Sequence, residues 1–195
     1  LDLWCNIGAL YHNNGDGTFT KITTGDIAED RTEKACGNIH LRRNANFADF
    51  NNDGLLDIFV GFGLLYLQDE SGGSFTRTTT GPIGNPTQLA DINYWCAIGD
   101  FDNDGNLDIV TVRDSMINGD KNTIYYGGGD GSFTEATLAD SVGDSVDVDV
   151  ADYDGDGDLD VFITQSRADQ ASQMWRNDGN RQFSHVSTGT ISKIS

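Results

Sequence analysis

The sequence predicts an all-β chain: a β-propeller of four-stranded antiparallel blades, with about three and three-quarter blades present. Three observations carry this. An acidic motif recurs as "DFNNDGLLDIFV" from Asp49, "DFDNDGNLDIVT" from Asp100 and "DYDGDGDLDVFI" from Asp152, at spacings of 51 and 52 residues. A second motif runs in step with it, as "LYHNNGDGTFTKI" from Leu10, "IYYGGGDGSFTEA" from Ile124 and "MWRNDGNRQFSHV" from Met174, with a worn copy, "LYLQDESGGSFTRT", from Leu65. The stretch after each acidic loop is nearly continuous apolar residues, which suits a strand covered on both faces. Four-stranded units repeating about every 50 residues match blades that must stack to bury their faces. A β-sandwich or a solenoid is the alternative.

Each unit reads in order. Strand one precedes the acidic loop ("NANFADF", "WCAIGDF", "VDVDVADY"), and strand two follows it ("LDIFVGF", "LDIVTV", "LDVFIT"). Strands three and four form a hairpin across Gly/Asn/Asp turn residues, closed by Phe19, Phe75, Phe133 and Phe183. The predicted blades are 1–30 (incomplete), 38–82, 90–138 and 144–190. The first has lost its first strand and most of its acidic loop, since Leu1-Asp2 aligns with Leu56-Asp57. Only "DIAEDRTEKACG" (Asp26–Gly37) suggests a helical turn. Leu1 replaces an initiator Met and falls inside a motif. We therefore expect a fragment of a longer chain, whose ring is completed by further blades or by a partner copy.

Composition narrows the function. The chain has 12 Lys+Arg against 31 Asp+Glu, a net charge of −19. Such a surface lacks the basic clusters that phosphate binding needs, which argues against nucleic acid and anionic membranes and favours cations. The acids are spaced among Val, Ile, Phe, Tyr and Trp, unlike the charge blocks of disordered tails. No apolar run approaches the ~18 residues of a membrane span. Cys5, Cys36 and Cys96 allow one disulfide with a free thiol, or three thiols. The only N-x-S/T candidate, at Asn85, has proline in its second place.

The acidic loops share the form D-x-[DN]-x-D-G-x-L-D. Side-chain oxygens fall at positions one, three, five and nine. Position seven varies, as expected if only its backbone carbonyl is used. Glycine at position six permits the turn that wraps the oxygens around one point. Leu at position eight is expected to turn inward and anchor the loop. Oxygen-only ligands rich in carboxylate suit calcium, which takes about 6–8 oxygens; magnesium wants a stricter octahedron, and zinc wants His or Cys. His12, His40 and His185 read as turn or surface residues. An EF-hand would need Glu at position twelve, where Val60, Thr111 and Ile163 stand. We expect three calcium sites.

"DFDNDGNLDIV" followed by "YYGGGDGSFTEA" resembles the FG-GAP/VCBS repeats of integrin-α-type propellers. "LYHNNGDGTFTKI" and "YWCAIGDFDNDG" are similar to the related repeats found beside ASPIC/UnbV domains. The resemblance implies a seven- or eight-bladed whole with calcium in the loop between the first two strands of a blade. By position it implies ligands at Asp49, Asn51, Asp53, Leu55 (backbone) and Asp57. It implies the same of Asp100, Asp102, Asp104, Asn106 (backbone) and Asp108, and of Asp152, Asp154, Asp156, Asp158 (backbone) and Asp160. Unit one retains only Asp2.

These observations favour an extracellular recognition or adhesion module that binds a protein or glycan, with calcium stiffening the scaffold. A lectin is the narrower alternative. Its sugar-stacking candidates are Tyr11, Tyr66, Tyr125, Tyr126 and Trp175, whose competing role is packing between blades. A non-catalytic part of a polysaccharide-active enzyme, or a subunit of an extracellular assembly, is the third reading. No G-x-S-x-G, no HExxH and no His paired with a nucleophile supports catalysis within the chain itself.

Overall fold

The computed structural model describes residues 3–5, 9–29, 45–60, 63–69, 74–83, 94–113, 122–138, 144–167 and 170–186. They form four antiparallel meanders, each with its strands in sequence order. Blade 1 has three strands: β1 (Leu3–Cys5), β2 (Ala9–Asn13) and β3 (Phe19–Lys21). A short helix, α1 (Asp26–Glu29), follows; it occupies the start of the ambiguous stretch, the rest of which lies outside the described residues. Blade 2 comprises β4 (Ala45–Ala48), β5 (Asp57–Val60), β6 (Leu64–Gln68) and β7 (Phe75–Arg77). Blade 3 comprises β8 (Tyr94–Gly99), β9 (Asp108–Arg113), β10 (Thr123–Gly127) and β11 (Phe133–Thr137). Blade 4 comprises β12 (Ser145–Ala151), β13 (Asp160–Gln165), β14 (Gln173–Asn177) and β15 (Phe183–His185). The architecture is that of a partial propeller.

Side chains alternate across a strand, so an apolar second strand serves two junctions at once. In β5, Ile58 and Val60 face blade 1 together with their cross-strand partners Tyr66 and Leu64, and with Leu10 and Ile27. Phe59 and its partner Leu65 face the other way, toward Ile109 and Tyr125 of blade 3. The pattern repeats one blade on. Val110 and Ile124 pair across β9 and β10 and pack with Val161, Ile163 and Trp175 of blade 4. The core is thus a series of slabs between sheets.

Aromatic residues link the acidic loops of blades 2 and 3 to the next blade. Phe50, at loop position two of blade 2, meets Phe133 of blade 3 edge-on, with ring centroids 6.0 Å apart. Phe101 of blade 3 meets Phe183 of blade 4 at 6.4 Å. Both are favourable edge-to-face arrangements. Tyr153, the equivalent residue of blade 4, is 49% exposed, and Phe19, the hairpin Phe of blade 1, is 48% exposed.

The leucine at loop position eight corrects the expectation of a uniform inward anchor. Leu107 and Leu159 pack into the junctions, and a Cβ on Gly99 of blade 3 would come within 2.5 Å of Leu159. This residue therefore leans on the preceding blade. Leu56, which would lean on blade 1, is 46% exposed.

Cys96 is a free, buried thiol; burial pushes it up to about 12, partly offset by the Asn46 side-chain amide, which donates to its sulfur. The pairing of Cys5 and Cys36 lies outside the described residues.

Truncating Phe101, which is fully buried between blades, should cost about 3–5 kcal/mol, whereas Phe19→Ala should change stability by less than about 0.5 kcal/mol. Urea denaturation of both variants checks this, and equal costs would refute the role assigned to the aromatic links.

Candidate metal centres

Each acidic loop is a compact turn folded by its own carboxylates. At position one, Asp49 accepts the backbone N–H of Asp53 at 3.1 Å and of Gly54 at 2.9 Å. Asp100 does the same for Asp104 and Gly105, and Asp152 for Asp156 and Gly157. At position five, Asp53, Asp104 and Asp156 each accept the N–H of the residue two places on, at 2.8–2.9 Å. This wrapping needs left-handed backbone at two places. Position six is glycine throughout, with φ of 85°, 88° and 97° at Gly54, Gly105 and Gly157. Position four is Asn52 and Asn103, both at φ 58°, then Gly155 at 81°; Asn is among the few side chains that tolerate this region.

Position nine has a different environment. Asp57, Asp108 and Asp160 are almost fully buried. One oxygen of each accepts the N–H of the loop's second residue: Phe50 at 2.9 Å, Phe101 at 2.7 Å and Tyr153 at 2.9 Å. The other accepts an N–H at the end of the third strand: Gln68 at 2.9 Å, Gly127 at 2.8 Å and Asn177 at 2.8 Å. The carboxylate thereby ties its loop to the hairpin of the same blade. Each oxygen keeps a second lone pair for a cation. Burial pushes the Asp108 carboxyl up to about 6, against the pull of the Gly127 and Phe101 N–H groups, with the Asp102 and Asp100 charges adding to the rise. Burial likewise raises Asp57.

The test of fit is whether oxygens converge. Ligands on one calcium sphere, each about 2.4 Å from the ion, lie at most ~5 Å apart. Asp100, Asp102 and Asp108 each offer an oxygen within 4.8 Å of the others, and so do Asp152, Asp154 and Asp156. The donor set fits a hard cation in both loops. Asp104 and Asp160 stand outside these trios, as do Asn106 and Asp158, for which only backbone carbonyls are expected. The blade 2 loop shows no carboxylate trio among the described residues. Asn51 stands at its third position, and its side-chain amide donates to Asp53 at 2.8 Å. Asp49, Asn51, Asp53, Leu55 and Asp57 do share one turn.

Several residues of this region were not singled out from the sequence. Asn52 donates its side-chain amide to Asn106 Oδ1 of blade 3 at 2.8 Å, and Asn103 donates to Asp158 Oδ1 of blade 4 at 2.6 Å. Position four of one loop thus binds position seven of the next, and the position-seven side chain has a use beyond its carbonyl. Asn177 of blade 4 reaches back to the Phe101 carbonyl at 2.7 Å. Arg181, in the β14–β15 turn, pairs with Asp102. The recurring Asn before Asp-Gly was a legible signal for position four. Nothing local marks Arg181, apart from its standing where blade 3 has Gly131.

Four of the proposed sugar-stacking aromatics are core residues: Tyr66, Tyr125, Tyr126 and Trp175 are buried between blades, and Tyr11 is half-buried. The four buried rings are covered by the neighbouring sheets rather than presented to a sugar. His12 and His185 are exposed, and His40 lies outside the described residues.

The family model for the FG-GAP-like repeat matches residues 6–60, 100–163 and 152–195. The relatives include Cartilage acidic protein 1 of Homo sapiens, 30% identical over 185 residues, which cover 87% of this chain and 26% of that protein. The protein of the same name from Mus musculus is 28% identical over 189 residues, covering 90% of this chain and 27% of that protein. The chain spans about a quarter of the length of these relatives.

Without divalent cations, a native Asp108 carboxyl titrating at about 6 contributes stability fully below its ordinary 3.8 and loses it as pH rises through 6. Asp108→Asn should abolish that slope. It should also cost about 1–3 kcal/mol, because its amide hydrogens would face a backbone N–H. Stability measured against pH in chelator checks both effects, and identical slopes for the two proteins would refute the assignment.

Proposed function

The chain belongs to the FG-GAP-like repeat family, and we propose that it is a non-catalytic, calcium-stiffened recognition module that works outside the cell. The convergence of carboxylate oxygens within 4.8 Å in loops already folded by backbone N–H groups carries the calcium reading. Crowded carboxylates repel by several kcal/mol at about 4 Å and intermediate dielectric. A divalent ion removes that repulsion where it is greatest. In the blade 3 loop, Asp100, Asp102 and Asp108 would hold the ion, with Asp104 and the Asn106 carbonyl completing the set. In blade 4, Asp152, Asp154 and Asp156 would do so, with the Asp158 carbonyl and Asp160. The blade 2 loop would bind through Asp49, Asn51, Asp53, Asp57 and the Leu55 carbonyl, with less charge.

Calcium here is part of the frame. The loops sit against the junctions between blades, and recognition of a protein or glycan falls to the connections elsewhere, such as 84–93 between blades 2 and 3 and 114–121 within blade 3. These connections lie outside the described residues. The extracellular setting is supported by the loop chemistry, which suits millimolar calcium, and by relatives named for cartilage. No helix among the described residues is long and apolar enough to cross a membrane. The exposed Tyr153 and Phe19 support further blades docking at both ends, from the parent chain or a partner copy.

Melting the protein in millimolar calcium and in chelator tests the frame role. An ion at 100 times its dissociation constant stabilises by about 2.7 kcal/mol per site, so the midpoint should rise by several degrees. An unchanged midpoint would rule out structural calcium. Replacing Asp154 and Asp156 with Ala should reduce the calcium-induced shift and the calcium stoichiometry before it alters specificity on a glycan array or a panel of matrix proteins. Lost ligand binding at unchanged stability would make the loop the working face instead.

A further inference from the structure

Arg181 occupies a position that the rest of the chain fills with glycine. Counting back from the hairpin phenylalanine, it matches Gly131 of blade 3. Its φ is 61°, in the left-handed region that Gly131 adopts at 80°. An arginine is strained there, and such residues persist where surrounding contacts hold them. The side chain shows what holds it. Nε lies 2.7 Å and Nη2 2.6 Å from the same oxygen, Asp102 Oδ2. The guanidinium also lies 4.3 Å from the centroid of the Tyr126 ring, a stacked cation–π placement. The Asp102 side chain is only 8% exposed, and it belongs to the carboxylate trio of the blade 3 loop.

Comparison among the repeats isolates the reason. In blade 2 the loop residue equivalent to Asp102 is the neutral Asn51. The hairpin that would reach it from blade 3 carries Gly131, whose space is taken by Leu67: a Cβ there would come within 2.8 Å of it. The acid and the arginine therefore appear together, and the amide and the glycine appear together. Beside the blade 4 loop, Arg176 of β14 pairs with Asp178 and feels the Asp154 charge only at longer range, so no ion pair reaches that loop among the described residues.

We propose that Arg181 is the resident counter-cation of the blade 3 loop: a tethered positive charge that keeps this loop and its junction with blade 4 folded without a divalent ion. The second consequence rests on the calcium reading above. A fixed positive charge beside the trio repels a divalent ion, so the blade 3 loop binds calcium more weakly than the blade 4 loop. The junction between blades 3 and 4 is then held at all calcium levels, by Arg181 on Asp102, Asn177 on the Phe101 carbonyl and Asn103 on Asp158.

Hydrogen exchange of wild type, Arg181→Gln and Arg181→Lys, each in chelator and in millimolar calcium, tests this. In chelator, amides of residues 100–108 and of β14–β15 should exchange about tenfold faster in R181Q than in wild type. Strands β4–β7 should be unchanged, which shows that the variant folds. R181K keeps the charge without the planar fork and should stay within about threefold of wild type. Calcium should restore protection in R181Q, and calorimetry should show one site tightened about tenfold as the repulsion is removed. Equal exchange of R181Q and wild type in chelator would overturn the counter-cation. Faster exchange that calcium does not reverse would keep Arg181 in its role and overturn the calcium reading instead.

Discussion

An aspartate shut away from water must be neutralised or fully hydrogen-bonded. Each complete blade is organised around one that is. Asp57, Asp108 and Asp160 sit where the acidic loop enters the second strand, and each spends both oxygens on backbone N–H groups. One N–H comes from the start of the loop and the other from the far hairpin. That bond pair fixes the loop's height above the sheet, and with it the direction of the side chains at positions one, three and five. It also presses the aromatic of position two toward the next blade, where Phe133 and Phe183 receive it. The convergence of carboxylates and the stacking of blades are thus two outcomes of one buried anion.

From that point the molecule is built by nearest neighbours. Every slab of core is shared by two adjacent sheets, and none extends further. The polar contacts follow the same rule: Asn52 to Asn106, Asn103 to Asp158 and Arg181 to Asp102 each cross a single junction. Stability in such an array is close to a sum of blade and junction contributions. Large apolar side chains are left bare at the two ends, at Phe19 on one side and Tyr153 on the other.

Much of this was legible in the sequence because it repeats. The period, the four-strand order and the acidic loops follow from alignment of the chain with itself, and the continuous apolar second strand announced that both faces are covered. What repeats identically is legible; what links one repeat to the next is less so. The behaviour of Leu56 could not be read from its own motif, since a side chain at position eight is covered by the preceding blade. Tyr66, Tyr125, Tyr126 and Trp175 look like exposed aromatics near turns until the neighbouring sheet is set against them. Arg181 was hidden for the same reason: its partner is 79 residues away in the chain.

The turn of the acidic loop also bears on chemical ageing. All three loops contain Asp-Gly: Asp53-Gly54, Asp104-Gly105 and Asp156-Gly157. Among aspartate dipeptides this one cyclises most readily, as the glycine nitrogen attacks the preceding side-chain carboxyl and the chain is left with an isoaspartyl linkage. Here each glycine N–H is donated to the position-one carboxylate at 2.9–3.1 Å. The attacking nitrogen is held by a different carboxylate from the one it would attack. A long-lived molecule can therefore keep labile Asp-Gly bonds at its most conspicuous sites, and isoaspartate should accumulate there only after the loops have opened.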